Sequence, residues 1–182
     1  MKKRENNIIW KSLLAVQRAM IITTSAAVTL IIFWAAASRI VNISFAGFEE
    51  LSVIAAFWLY MLGSAYGSYE KSQISADILT VMMKDGLRKS IIQLLKCLLT
   101  LILGLIFLRW GWGLFMFHYT MGSRTPVYRL PAAIGHASIF VGLALSSFYH
   151  AVYLYDEVKR FIAIHIKKQA PASTEGEEKS AK

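Results

Sequence analysis

Residues 91–119 read IIQLLKCLLTLILGLIFLRWGWGLFMFHY, and their strongly polar members are Gln93, Lys96, Arg109 and His118. A hydrocarbon core about 30 Å thick is crossed by about 20 helical residues. Helix throughout this run would be about 43 Å long. The run therefore predicts a membrane-spanning helix, its apolar part at Ile91–Leu108, that tilts or protrudes at one end. Lys96 can snorkel toward one face and Arg109 toward the other. Trp110, Trp112, Phe115, Phe117 and Tyr119 form an aromatic belt suited to a membrane–water boundary.

Three more runs of similar character surround it, at Ala19–Ala37, Leu51–Tyr69 and Ala132–Tyr155. The chain has 182 residues, 56% of them hydrophobic, so four spans leave almost nothing for a soluble domain. The expected fold is an all-α integral membrane protein with four transmembrane helices. A basic and amphipathic segment (1–18) precedes the membrane domain (19–155). A helical extension (156–170) and a disordered tail (171–182) follow it. The tail is expected to be disordered because Pro, Ala, Ser, Thr, Glu and Lys cannot build a core.

The net charge of +9 would suggest nucleic acid in a soluble protein. Its placement argues instead for topology and against a nucleic-acid partner. With the N-terminus inside, the inner segments carry Lys2, Lys3, Arg4, Lys11 and Arg18, then Lys71, Lys84, Arg88, Lys89 and Lys96. The C-terminal segment adds Lys159, Arg160, Lys167, Lys168, Lys179 and Lys182. Four cations remain outside: Arg39, Arg109, Arg124 and Arg129. The positive-inside rule then predicts both termini in the cytoplasm. The basic start and Ala35–Ala37 could suggest a cleaved signal. However, the apolar run exceeds a signal core and three spans follow, so a retained first span is expected.

Ile9, Trp10, Leu13, Leu14 and Val16 alternate with Lys11, Ser12, Gln17 and Arg18, which predicts a short amphipathic turn anchored by Trp10. Gly63 and Gly67 form a GxxxG pattern on span two, where missing side chains permit close helix approach. Gly135, Ser138, Gly142 and Ser146 make a small-residue stripe on span four. Gly63, Gly67, Gly135 and Gly142 are thus the subunit-packing candidates. Between spans two and three, Ile74, Ile78, Leu79, Met82 and Met83 recur at helical spacing. They predict an interfacial amphipathic helix over Ile74–Lys84, with Gly86 as its C-cap. Pro126 and Pro131 interrupt the outer loop Thr120–Pro131. The lone Cys97 permits no intrachain disulfide and reads as a small core residue.

Enzymatic signatures are absent: no nucleotide-binding glycine loop, no HExxH, no cysteine pair and no convincing Ser/His/Asp set. No catalytic, cofactor-binding or metal-binding residue is predicted. The midplanes of spans one, two and four carry no ionisable group, which disfavours a transport pathway or channel within this chain alone. His118 and His136 keep one redox alternative open, as axial haem ligands near the outer face. Arg39, Glu49, Glu50, Arg109 and Arg124 are the outer-face interaction candidates. Glu49 and Glu50 suit the N-terminus of span two through its dipole, and an Arg39–glutamate pair could clamp the first hairpin.

Several of these residues together carry a resemblance. Phe48-Glu49-Glu50-Leu51, Phe57-Trp58-Leu59 and Leu62-Gly63-Ser64-Ala65 resemble the second span of the small membrane subunits of TRAP transporters, the DctQ-like family. Gln73-Ile74-Ser75-Ala76-Asp77 resembles the family's His-Ile-x-Val-Asp-like segment, with Asp77 matching and Gln73 and Ala76 departing. Thr125-Pro126 and Leu130-Pro131 also resemble family pieces, and the likeness covers about Arg18–Tyr155.

The resemblance implies a scaffold subunit of an ion-driven uptake system (symport) in the bacterial inner membrane. A periplasmic substrate-binding protein would deliver an organic anion to a large TRAP membrane subunit, which this chain braces among the membrane lipids. Sodium coupling is expected in that large subunit, with no cofactor here. The alternative from another class is a haem- or quinone-bearing membrane anchor of a respiratory complex, resting on His118 and His136.

Overall fold

A computed structural model describes residues 8–41, 46–70 and 87–165 of the chain. The helix expected over Ile74–Lys84, with Asp77, lies outside the described residues, as does the tail from 171. The described residues form four helices: α1 (Ile8–Ile40), α2 (Phe48–Glu70), α3 (Leu87–Thr120) and α4 (Ala133–His165). All four are long and apolar enough to cross a membrane. Each covers one of the four expected spans, Ala132 apart, and runs beyond it. Composition marks the part of a helix that matches hydrocarbon, whereas backbone hydrogen bonding continues into the amphipathic ends. The N-terminal amphipathic segment is accordingly no separate turn: from Ile8 it is the beginning of α1.

Hydroxyls within these helices bond back to their own backbone, as an apolar surrounding demands. Thr23 donates to the carbonyl of Ala19, Thr29 to that of Ser25 and Thr100 to that of Lys96, each at 2.9 Å.

The described residues 8–41, 46–70 and 104–149 belong to one compact unit. Within it, α2 and α4 run parallel and meet at seven-residue intervals. A Cβ on Gly135 would touch Phe57 and Ile54, and one on Gly142 would lie 2.8 Å from the carbonyl oxygen of Met61. Farther along, the hydroxyls of Ser68 and Ser146 are 2.8 Å apart, and the rings of Tyr69 and Tyr149 are 5.6 Å apart. The stripe of small residues on α4 is therefore the seam with α2. Helices α3 and α4 run antiparallel, again with steps of seven on α3. Gly104 faces Ser147, Gly111 faces Leu143 and Ile139, and His118 faces His136. A seven-residue repeat keeps one helix face against a neighbour when the crossing angle is small.

The described residues 87–103 and 150–165 belong to the second unit. Its described α4 residues carry the charged end of that helix. Arg160 lies 4.0 Å from Glu157, one turn away, and Lys159 sits over the Tyr155 ring.

Candidate interaction surfaces

At one end of the first unit, the α1–α2 and α3–α4 connections are tied together. Glu50, in the first turn of α2, accepts hydrogen bonds from the backbone amides of Val127 at 2.6 Å and Tyr128 at 3.0 Å. In return the Tyr128 hydroxyl donates to the carbonyl of Ala46 at 3.2 Å. Between them Gly47 adopts φ +84°. A Cβ there would come within 2.6 Å of the Tyr128 ring, so glycine is required by both conformation and space.

The loop itself is a small hairpin. Thr125 donates its amide to Leu130 at 2.9 Å, Ala132 donates to Ser123 at 2.8 Å, and Arg129 turns the chain at φ 52°. It begins with a Schellman cap, which satisfies two carbonyls at the end of α3. Gly122, at φ 60°, donates to Tyr119, and Ser123 donates to His118, both at 3.3 Å.

These contacts give the outer-face candidates distinct places. Glu50 is the clamp of this end, and its partner is loop backbone. Arg39 instead lies over the Phe48 ring at 5.5 Å. Glu49, Arg109 and Arg124 are exposed. Nothing in the spacing of the sequence could pair Glu50 with amides 77 residues away.

The two histidines lie one on α3 and one on α4. Their rings stack face to face, with centroids 3.8 Å apart and 16° between planes. The Nδ1 of His136 is 2.9 Å from the carbonyl of Ala132. Axial haem ligands must aim a nitrogen at one another across the macrocycle; two stacked faces leave no room for it. This arrangement does not fit the haem alternative. Among the described residues, no group of three or more His, Cys, Asp or Glu side chains could hold a metal ion.

Toward the opposite end lies a polar contact that the sequence does not announce. Gln17 is 2% exposed. Its amide nitrogen donates to the carbonyl of Leu62 at 3.1 Å, and its oxygen accepts from the Tyr149 hydroxyl at 2.6 Å. Trp10, Tyr69 and Phe148 pack around this knot with ring centroids about 6 Å apart. Beside it, Arg18 donates to the Tyr66 hydroxyl at 2.7 Å. Gln17 had the sequence signature of a polar side chain on a water-facing stripe, but it joins α1, α2 and α4.

The packing candidates divide. Gly135 and Gly142 face α2 of the same chain, whereas a Cβ on Gly63 would meet no atom within 4 Å among the described residues. Gly67 follows one turn later on α2. Large apolar side chains stand open on α1 (Ile22, Leu30, Phe33, Trp34) and on α3 (Leu105, Ile106, Phe107). Such surfaces suit lipid or another membrane helix.

Residues 28–160 match the family model described as tripartite ATP-independent periplasmic transporters, DctQ component. A comparison with curated proteins finds no match. The matched region takes in part of α1, all of α2 and α3, and most of α4. Four apolar helices and a match across most of its length place this chain in the DctQ family, the small membrane components of tripartite ATP-independent periplasmic transporters.

Proposed function

We propose that the chain is a static brace for the large membrane component, and that it neither conducts substrate nor catalyses a reaction. The observation that carries this reading is how the polar groups of the first unit are used. Gln17, Tyr149, Ser68 and Ser146 are bonded pairwise across helix seams. Polar groups so engaged lock helices together; a pathway would need them turned toward a passing ion or anion.

In this reading both termini are cytoplasmic, the chain sits in a bacterial inner membrane, and the Glu50–Tyr128 end faces the periplasm. The large component moves an organic anion delivered by the binding protein, coupled to an ion gradient, with sodium the expected ion. No cofactor takes part. Reconstitution tests this. Proteoliposomes holding the purified chain alone should show no uptake. Uptake should require the large component, the binding protein and a sodium gradient. Saturable uptake by the chain alone would overturn the proposal.

A further inference from the structure

Helix α2 has two unlike sides. Leu62, Ala65 and Ser68 are buried against neighbouring helices of the chain. On the other side Val53, Tyr60 and Ser64 are exposed, and Gly63 has open space above it. Tyr60 is 67% exposed and stands at the middle of Phe48–Glu70. Its hydroxyl has no hydrogen-bond partner among the described residues.

A tyrosine near a span end can reach headgroups and water, which is where such rings concentrate. At mid-span it is about 15 Å along the axis from Glu70 and about 18 Å from Phe48, and the side chain cannot reach that far. In lipid this hydroxyl would remain unpaired in hydrocarbon, an unfavourable state.

The rest of the molecule sharpens the contrast. On α3, Leu105, Ile106 and Phe107 are exposed and wholly apolar, a surface well matched to acyl chains. Helix α2 is the least apolar of the four spans and yet keeps an open face at its centre. A hydroxyl at the midplane, with no side chain at Gly63 one turn away, suits a second helix backbone that comes close and brings a polar group. Lipid offers neither.

We propose that the Val53–Tyr60–Ser64 face of α2 is the docking surface for a transmembrane helix of the large membrane component. That helix would present a hydrogen-bonding group to the Tyr60 hydroxyl at the bilayer midplane. This proposal rests on the brace reading and adds the face and the polar contact by which the brace is joined.

Site-specific photocrosslinking in native membranes tests it, with the affinity tag on the large component. A benzophenone amino acid at Tyr60 should crosslink this chain to the large component, and one at Ile106 should give lipid adducts. Tyr60→Phe, which removes only the hydroxyl, should weaken recovery of the chain with the large component about threefold or more, with unchanged membrane levels. Gly63→Leu should weaken it further.

Crosslinks from Tyr60 to lipid alone, or to a second copy of this chain, would overturn the proposal. So would full recovery of both variants. Capture of the large component through Ile106 but not Tyr60 would sink this face and leave the brace intact. Failure of the wild-type chain to co-purify with the large component at all would remove both.

Discussion

Single side chains and single missing side chains decide most of the packing. Gly142 shows it most sharply, since an added Cβ would lie 2.7 Å from the Met61 Cβ and 2.8 Å from its carbonyl oxygen. Backbone cannot swing aside as a long side chain can. Gly142→Ala should therefore force α2 and α4 apart and destabilise the fold by about 1–3 kcal/mol. A lowered unfolding midpoint in detergent would show it. Gly63→Ala meets no atom within 4 Å among the described residues and should not lower that midpoint. Tyr149→Phe leaves the buried Gln17 oxygen without its donor, a loss of about 1–3 kcal/mol on the same readout. Ser147 gives a contrasting case. Its hydroxyl is buried without a hydrogen-bond partner among the described residues, so Ser147→Ala should be neutral or stabilising.

At the level of elements, the connections carry as much information as the helices. The loop after α3 is held from three sides: by its own hairpin bonds, by the Gly122 cap and by Glu50 of α2. Glu50→Ala should free the Val127 and Tyr128 amides and increase proteolysis of this loop, while α2 stays inserted. Unchanged proteolysis would show that the hairpin bonds suffice without the carboxylate. The same loop reports orientation. In a Cys97→Ala background, Met121→Cys should react with a membrane-impermeant thiol reagent applied to the periplasmic side. Reaction only after permeabilisation would reverse the proposed topology. Pro126 and Pro131 make the loop itself legible in the sequence, since neither can continue a helix through its interior. The tether to α2 is not legible there, because a carboxylate at a helix N-terminus is already accounted for by the dipole.

Across the whole molecule, contacts at seven-residue steps recur on two seams, α2 with α4 and α3 with α4. His118 and His136 belong to the second seam as a stacked pair. The purified chain should accordingly show no haem Soret band, in the wild type or in a His118→Ala/His136→Ala variant. A stoichiometric band lost in that variant would restore the redox reading.

The number of spans, their approximate places and the all-α class were determined by the sequence alone. The reason is that a bilayer sorts residues by transfer free energy, which each residue carries with it. The DctQ resemblance was legible for a related reason, since Phe48–Leu51 and Leu62–Ala65 lie contiguously in the chain. Only the tertiary structure decided which face of each helix meets which neighbour. In a nearly uniformly apolar helix every face is acceptable to lipid, so periodicity carries little signal. Close approach at Gly142, the burial of Gln17 and the capture of amides 127 and 128 by Glu50 all depend on partners 45 to 132 residues distant. No local pattern can encode a contact whose other half lies in another helix.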